Sequence, residues 1–197
     1  MKLKANILSL SVTLLTLFGC SSNNCPLDNY VACNYHFYDY EGKAVTLLDT
    51  LTVKTLLPGY KTVYVYNKLG YTPVTLNHRD SSYIDNGFVE KIETVRRDTV
   101  LVNKLTNASS FQVPMSYFNA EDTLVLSYKS IILSDTIKVA HQSYPHVELP
   151  ECGTYRFHNL RSINCTNRYI DRIEISNSKV NYEGKENVKI FFNPTEE

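Results

Sequence analysis

The sequence predicts an all-β chain, a single antiparallel β-sandwich of the immunoglobulin-like kind, on three observations. Composition is the first. The 197 residues include 15 tyrosines, 8 phenylalanines and no tryptophan, with Thr, Val and Ile common and Ala scarce, a mixture that favours pleated strands over helices. The second is period-two alternation in short runs, as in Asp49-Thr50-Leu51-Thr52-Val53, where Leu51 and Val53 share one face and the threonines the other. The third is the lack of any capped apolar period of 3.6 residues. Only 161–170 has room for a helical turn. Roughly nine to eleven short strands in one domain of this kind close most readily as two packed sheets.

Taken in order, Val31 to Tyr38 has strand composition and Glu41-Gly42 marks a turn after it. The Asp49-Thr50 strand follows, and its pattern returns at 98–102, 122–126 and 135–139. Each copy is expected to begin a strand, because aspartate disfavours a strand interior and bonds to turn backbone. The intervals are irregular, so this is one local solution reused and not a repeat protein. Between 58 and 97 the signals are mixed. Pro58-Gly59 reads as a turn, 62–66 as a strand, Asn77 to Gly87 as a polar loop and Phe88 to Val95 as a strand. Pro114 breaks the run from Phe111 to Met115, which places that strand at a sheet edge or bulge. The third and fourth copies of the Asp-Thr pattern suit a hairpin. Tyr155 with Phe157, Ile173 with Ile175, and Val188 with Ile190 and Phe192 mark three more strands, the last after a turn at 182–185.

The N-terminus carries a separate message. Lys2 and Lys4 precede a mostly apolar run from Ile7 to Phe18, shorter than the about 20 residues that cross a bilayer but matched to a secretory h-region. The run ends in Leu17-Phe18-Gly19-Cys20, which resembles the bacterial lipobox. That resemblance implies cleavage before Cys20 and acylation of Cys20, with two or more chains making a stable anchor. Residues 1–19 are then a lipoprotein signal peptide, 20–30 a lipidated tether and 31–197 the sandwich domain. Ser21 in place of an aspartate, and no acidic cluster behind it, point to the outer membrane and its periplasmic face.

An exported chain with four further cysteines, Cys25, Cys33, Cys152 and Cys165, reads as two disulfides. Local pairing and cross-pairing are both open, since loop entropy separates them by only ~1–2 kcal/mol. Formal net charge is zero, from 20 basic and 20 acidic residues, and losing Lys2 and Lys4 leaves a slight acidic excess. Nucleic acid is therefore not an expected partner.

The C-terminal half resembles a family of uncharacterised Bacteroidetes lipoproteins. The resemblance rests on Asp135-Thr136-Ile137 through His141, Tyr144-Pro145-His146, Glu151-Cys152-Gly153, Phe157-His158, Ile170-Asp171, Ile173-Glu174-Ile175, Val180-Asn181 and the ending from Glu186 to Phe192. Cys33, Gly42 and the first Asp-Thr strand fit it too. It covers most of the mature chain apart from 58–97, and it implies a family without a known activity.

The densest chemical cluster is His141, His146, Cys152, His158 and Cys165. Two thiolates and two imidazoles make a zinc set, but no tight C-x₂-C pair is present and an oxidising compartment favours a disulfide. No metal and no cofactor are expected. The sequence holds no nucleophile elbow or S-x-x-K motif. Glu90, Glu93, Glu121, Asp122 and Glu148 are acids without a pairing signal. His78-Arg79-Asp80 spells a kinase triplet without its companion motifs. The reading is a non-catalytic lipoprotein, held to the membrane by its N-terminal lipid, that binds or scaffolds an envelope protein. Its contact would be the 141–165 connection (His141, Tyr144, His146, His158) or a sheet edge that accepts a strand. The alternatives are glycan binding by exposed tyrosines of 60–83 (Tyr60, Tyr64, Tyr66, Tyr71, Tyr83) and a metal-dependent activity at 141–165.

Overall fold

The computed structural model describes residues 30–130, 133–148 and 153–193. Cys20, Cys25 and Cys152 lie outside the described residues, as do the expected signal peptide (1–19) and all of the expected tether (20–30) but Tyr30. The described residues are nearly all β, with eleven strands and one short helix. Two sheets face each other. One holds β1 (Cys33–Tyr38), β5 (Ser110–Val113), β9 (Ile170–Ile175) and β11 (Val188–Phe192), in the order β5-β1-β11-β9. The other has the order β10-β8-β7-β6-β2-β3, with β4 along the other side of β2. Its strands are β2 (Leu47–Asn67), β3 (Val74–Leu76), β4 (Val89–Ala108), β6 (Glu121–Tyr128), β7 (Ser134–His146), β8 (Tyr155–Cys165) and β10 (Lys179–Val180).

The core lies between the sheets and is built by alternation. In β1, Cys33, Tyr35 and Phe37 point inward. In β7, Ile137 and Val139 do so, and Leu124 and Leu126 in β6. Tyr35 stacks on Phe111, with ring centroids 4.7 Å apart, and Phe37 meets Phe192 edge-on at 5.4 Å. Pairing is antiparallel throughout except for β1 and β11, which run parallel with Tyr35 opposite Val188. Parallel neighbours need a long connection between them, and these two strands are the first and the last of the domain.

Three expectations change. The short strands expected on either side of residue 58 are one strand: β2 runs unbroken for 21 residues and β4 for 20. Pro58-Gly59 is a bulge inside β2 and not a turn, since register jumps between Leu56 and Tyr60 and sets three residues of β2 against Arg97. Gly59 has a φ of +85°, open to glycine without strain. The copy of the Asp-Thr pattern at Asp98 therefore falls in mid-strand, while those at Asp49, Asp122 and Asp135 stand within the first three residues of theirs. The one helix, α1 (Ser81–Asp85), lies in the expected polar loop, and residues 161–165 continue β8. Beyond the bulge, β2 and β4 form an arm with β3 on its far side, since Tyr64 and Tyr66 pair with Leu76 and Val74.

Candidate functional site

An aromatic groove sits where residue 30 joins the sandwich. β5 stops at Val113, directly before Pro114, as an edge strand whose ladder proline cannot continue. The 114–120 loop then crosses to β6, and β7 and β8 project past the start of β6. His141 N–H donates to the Ala120 carbonyl at 2.9 Å and ties hairpin to loop. Between these elements lies a groove of about 610 Å³, with Tyr30, Tyr117, Phe118 and Tyr155 around it, Met115 in its lining and Arg156 beside them. Phe118 is 92% exposed. The sequence carries a faint signal for this loop: apolar Met115, Tyr117 and Phe118 fall between two strands, where a turn would be polar.

Behind the groove is a buried polar chain. Tyr117 stacks on the His158 ring with centroids 6.4 Å apart. His158 Nδ1 lies 3.2 Å from His141 Nδ1, and His141 Nε2 lies 3.1 Å from Asp122 Oδ2. Both rings are buried. Chemistry assigns one of the protons. A carboxylate only accepts, so His141 donates from Nε2 to Asp122, which leaves its Nδ1 facing His158 Nδ1. Burial, and then the neighbouring His141, push His158 down to about 4. Asp122 also accepts from Ser116 N–H at 2.9 Å, which anchors the loop bearing Tyr117.

The sequence cluster thus divides. His141 and His158 meet, because Leu160 and Ser143 are their respective cross-strand partners and the two rings are diagonal neighbours. His146 is elsewhere, stacked on Phe157 at 4.2 Å, with Tyr144 edge-on to that same ring. Cys165 pairs with Ile137 in register. It stands seven residues along β8 from His158, or about 23 Å at strand rise, so these two cannot share a metal. Among the described residues no three His, Cys, Asp or Glu side chains converge as ligands. Cys33 and Cys165 are free thiols, and burial pushes Cys33 up to about 12. The two expected disulfides are not shown.

Three of the five tyrosines of the arm, Tyr66, Tyr71 and Tyr83, pack against other aromatic rings. Tyr66 is fully buried and stacks on Tyr83 at 4.8 Å, which meets Phe88 edge-on. Only Tyr60 and Tyr71 are broadly exposed. Four of the five candidate acids are individually engaged, Asp122 by Ser116 and His141. Glu90 holds Arg79 and Tyr66, Glu93 holds Lys91, and Glu148 accepts from Tyr182. The His78-Arg79-Asp80 triplet is structural: Asp80 caps α1 through Ser82 N–H at 3.0 Å, while Arg79 pairs with Glu90.

Residues 90–192, just over half of the chain, match the profile of a family of unknown function, DUF6452. The chain belongs to that family. The family span begins near the start of β4 and ends with the last residue of β11, so it contains the groove's 114–120 loop, both buried histidines and Asp122. β1 and β2, which complete the two sheets, precede it. No curated protein and no solved structure matches the chain.

Proposed function

We propose that this family member is a non-catalytic lipoprotein of the outer membrane, on its periplasmic face, that binds or scaffolds an envelope protein through the aromatic groove. The observation that carries this reading is the groove's make-up and place. Aromatic rings and arginine are the residue types that dominate interface energies, and a ring as open as Phe118 gains most by being covered. Tyr30, on the rim, follows Cys20 by ten residues, a connection that reaches at most about 35 Å. A lipid at Cys20 would thus hold the groove near the membrane, where an envelope partner is met.

In vivo photo-crosslinking tests this. A benzophenone amino acid at Phe118 is expected to give one discrete protein adduct, absent when the probe stands at Lys43 at the opposite end of the sandwich. No adduct at either position, or equal adducts at both, counts against the reading. Protease should reach the domain only after the outer membrane is permeabilised. Digestion on intact cells would favour glycan capture at the surface through Tyr60 and Tyr71.

A further inference from the structure

β4 runs along one side of the seven-stranded sheet, bonded to β2 on one flank and, among the described residues, to no strand on the other. Open strand edges are normally blunted by bulges and charges. Here the blunting is uneven. From Val102 to Ala108 the register shifts twice, and Lys104 and Asn107 have left-handed backbones with φ of 52° and 51°. From Val89 to Arg96 the register against Tyr60–Asn67 is unbroken. That window leaves Val89 71% and Ile92 60% exposed. On the face it shares with Val89, Lys91 pairs with Glu93 at 2.7 Å.

We propose that this window docks a second copy of the chain, antiparallel, about a two-fold axis through Ile92. Placing Ile92 opposite its own copy sets Lys91 against Glu93 of the second copy and Glu93 against its Lys91. Val89 then meets Val95, and the reverse. With the bond already present within each strand, four charges alternate in sign around the axis, and opposite charges placed directly across a ladder are favourable. Other centres fail. An axis at Glu90, Lys91 or Glu93 puts like against like, and one at Thr94 sets Lys91 against Arg97 and Glu90 against Asp98. One at Val95 sets Glu93 against Arg97 but carries the pairing past Arg96, where the register jumps at the bulge. Within the unbroken window, the register about Ile92 is the one that sets opposite charges across the pair. Joining there turns the β3-β2-β4 arm into a six-stranded sheet and covers the β4 edge of each copy with that of the other, so association through this edge stops at two copies. This pairing does not depend on the partner proposed for the groove or on lipidation.

Two differently tagged copies of the full-length protein, co-expressed and extracted in mild detergent, test it. Wild-type copies are expected to co-purify. Two Lys91→Glu copies, or two Glu93→Lys copies, should each lose about tenfold or more of the recovered partner. A Lys91→Glu copy with a Glu93→Lys copy should recover it, because each charge again meets its opposite. That recovery also shows that the variants fold. Wild-type copies that do not co-purify, single variants that pair as well as wild type, or a mixed pair that does not recover would each overturn the proposal.

Discussion

Asp135 and Asn187 hold the sandwich together at its two ends by the same device. Asp135 is fully buried at the start of β7 and accepts from the Thr166 hydroxyl and from the N–H groups of Arg168, Tyr169 and Ile170, all at 3.0–3.1 Å. It thereby ties one sheet to the start of β9 in the other. Asn187 accepts from Asn34 N–H at 3.0 Å and donates to the carbonyls of Asn177 and Lys179. A buried carboxylate with four donors is satisfied; an amide there would turn its own N–H₂ towards donors. Asp135→Asn should cost about 3 kcal/mol, read as a lower urea midpoint with an unchanged slope. His158 yields a pH dependence. Its folded value of about 4 lies below its unfolded value, near 6.5, so the unfolded chain takes the proton first. Its contribution is whole above pH 6.5 and is lost as pH falls towards 4, to a total of about 3 kcal/mol. The groups facing it are His141, Asp122, Tyr117 and Arg156. Urea unfolding at pH 7 and pH 4.5 should show this loss in the wild type and a smaller one in His158→Phe.

Among the elements, β2 shows how a long strand is steered. The Pro58-Gly59 bulge separates the part packed in the sandwich from the part in the arm, and bulges bend and twist the strand that carries them. Asp98 sits across from it and binds Lys54 before the bulge at 3.0 Å and Lys61 after it at 2.5 Å. These lysines, Lys61 foremost, hold the Asp98 carboxyl below its ordinary range. Gly59→Val forces a β-branched residue into φ +85° and should cost about 1–3 kcal/mol. Hydrogen exchange should quicken at 60–67 and 89–96 and stay unchanged in β1 and β11. Alternation marks a strand where one face is covered: β1, β6, β8, β9, β11 and the β6–β7 hairpin follow from it, and Pro114 limits its strand to an edge or a bulge, of which β5 takes the edge. Pro58-Gly59 is ambiguous because those residues have the same local chemistry in a turn and in a bulge. Pairing with β4 forty residues away decides between them.

For the molecule as a whole, the core and the arm are separable. The cluster of buried residues between the sheets contains none of 57–97; Val63 and Tyr66 are buried within the arm itself. Leu56 stands directly opposite Asp98 in register, the geometry from which a two-residue Asn-Gly turn closes a hairpin. Replacing 57–97 by Asn-Gly should leave a protein that still unfolds in one cooperative transition with the β1–β11 amides protected, and it should abolish association through β4. Loss of cooperative folding would show that the arm belongs to the core.

Local patterns and spacing carried the all-β class and most strand positions, because each depends on neighbours within a few residues. The meeting of His141 and His158 was not legible: 141–165 reads in the sequence as a connection over one end of the sandwich, whereas 141–146 extends β7 and 155–165 is β8, and the two rings meet only through the pairing of those strands. Tertiary structure alone decided the parallel pairing of β1 with β11, the groove of Tyr30, Tyr117, Phe118 and Arg156, and the separation of Cys165 from the histidines. Each of these depends on which strands become neighbours across the sheets. That choice follows from burying many alternating faces at once, and no single stretch of the chain encodes it.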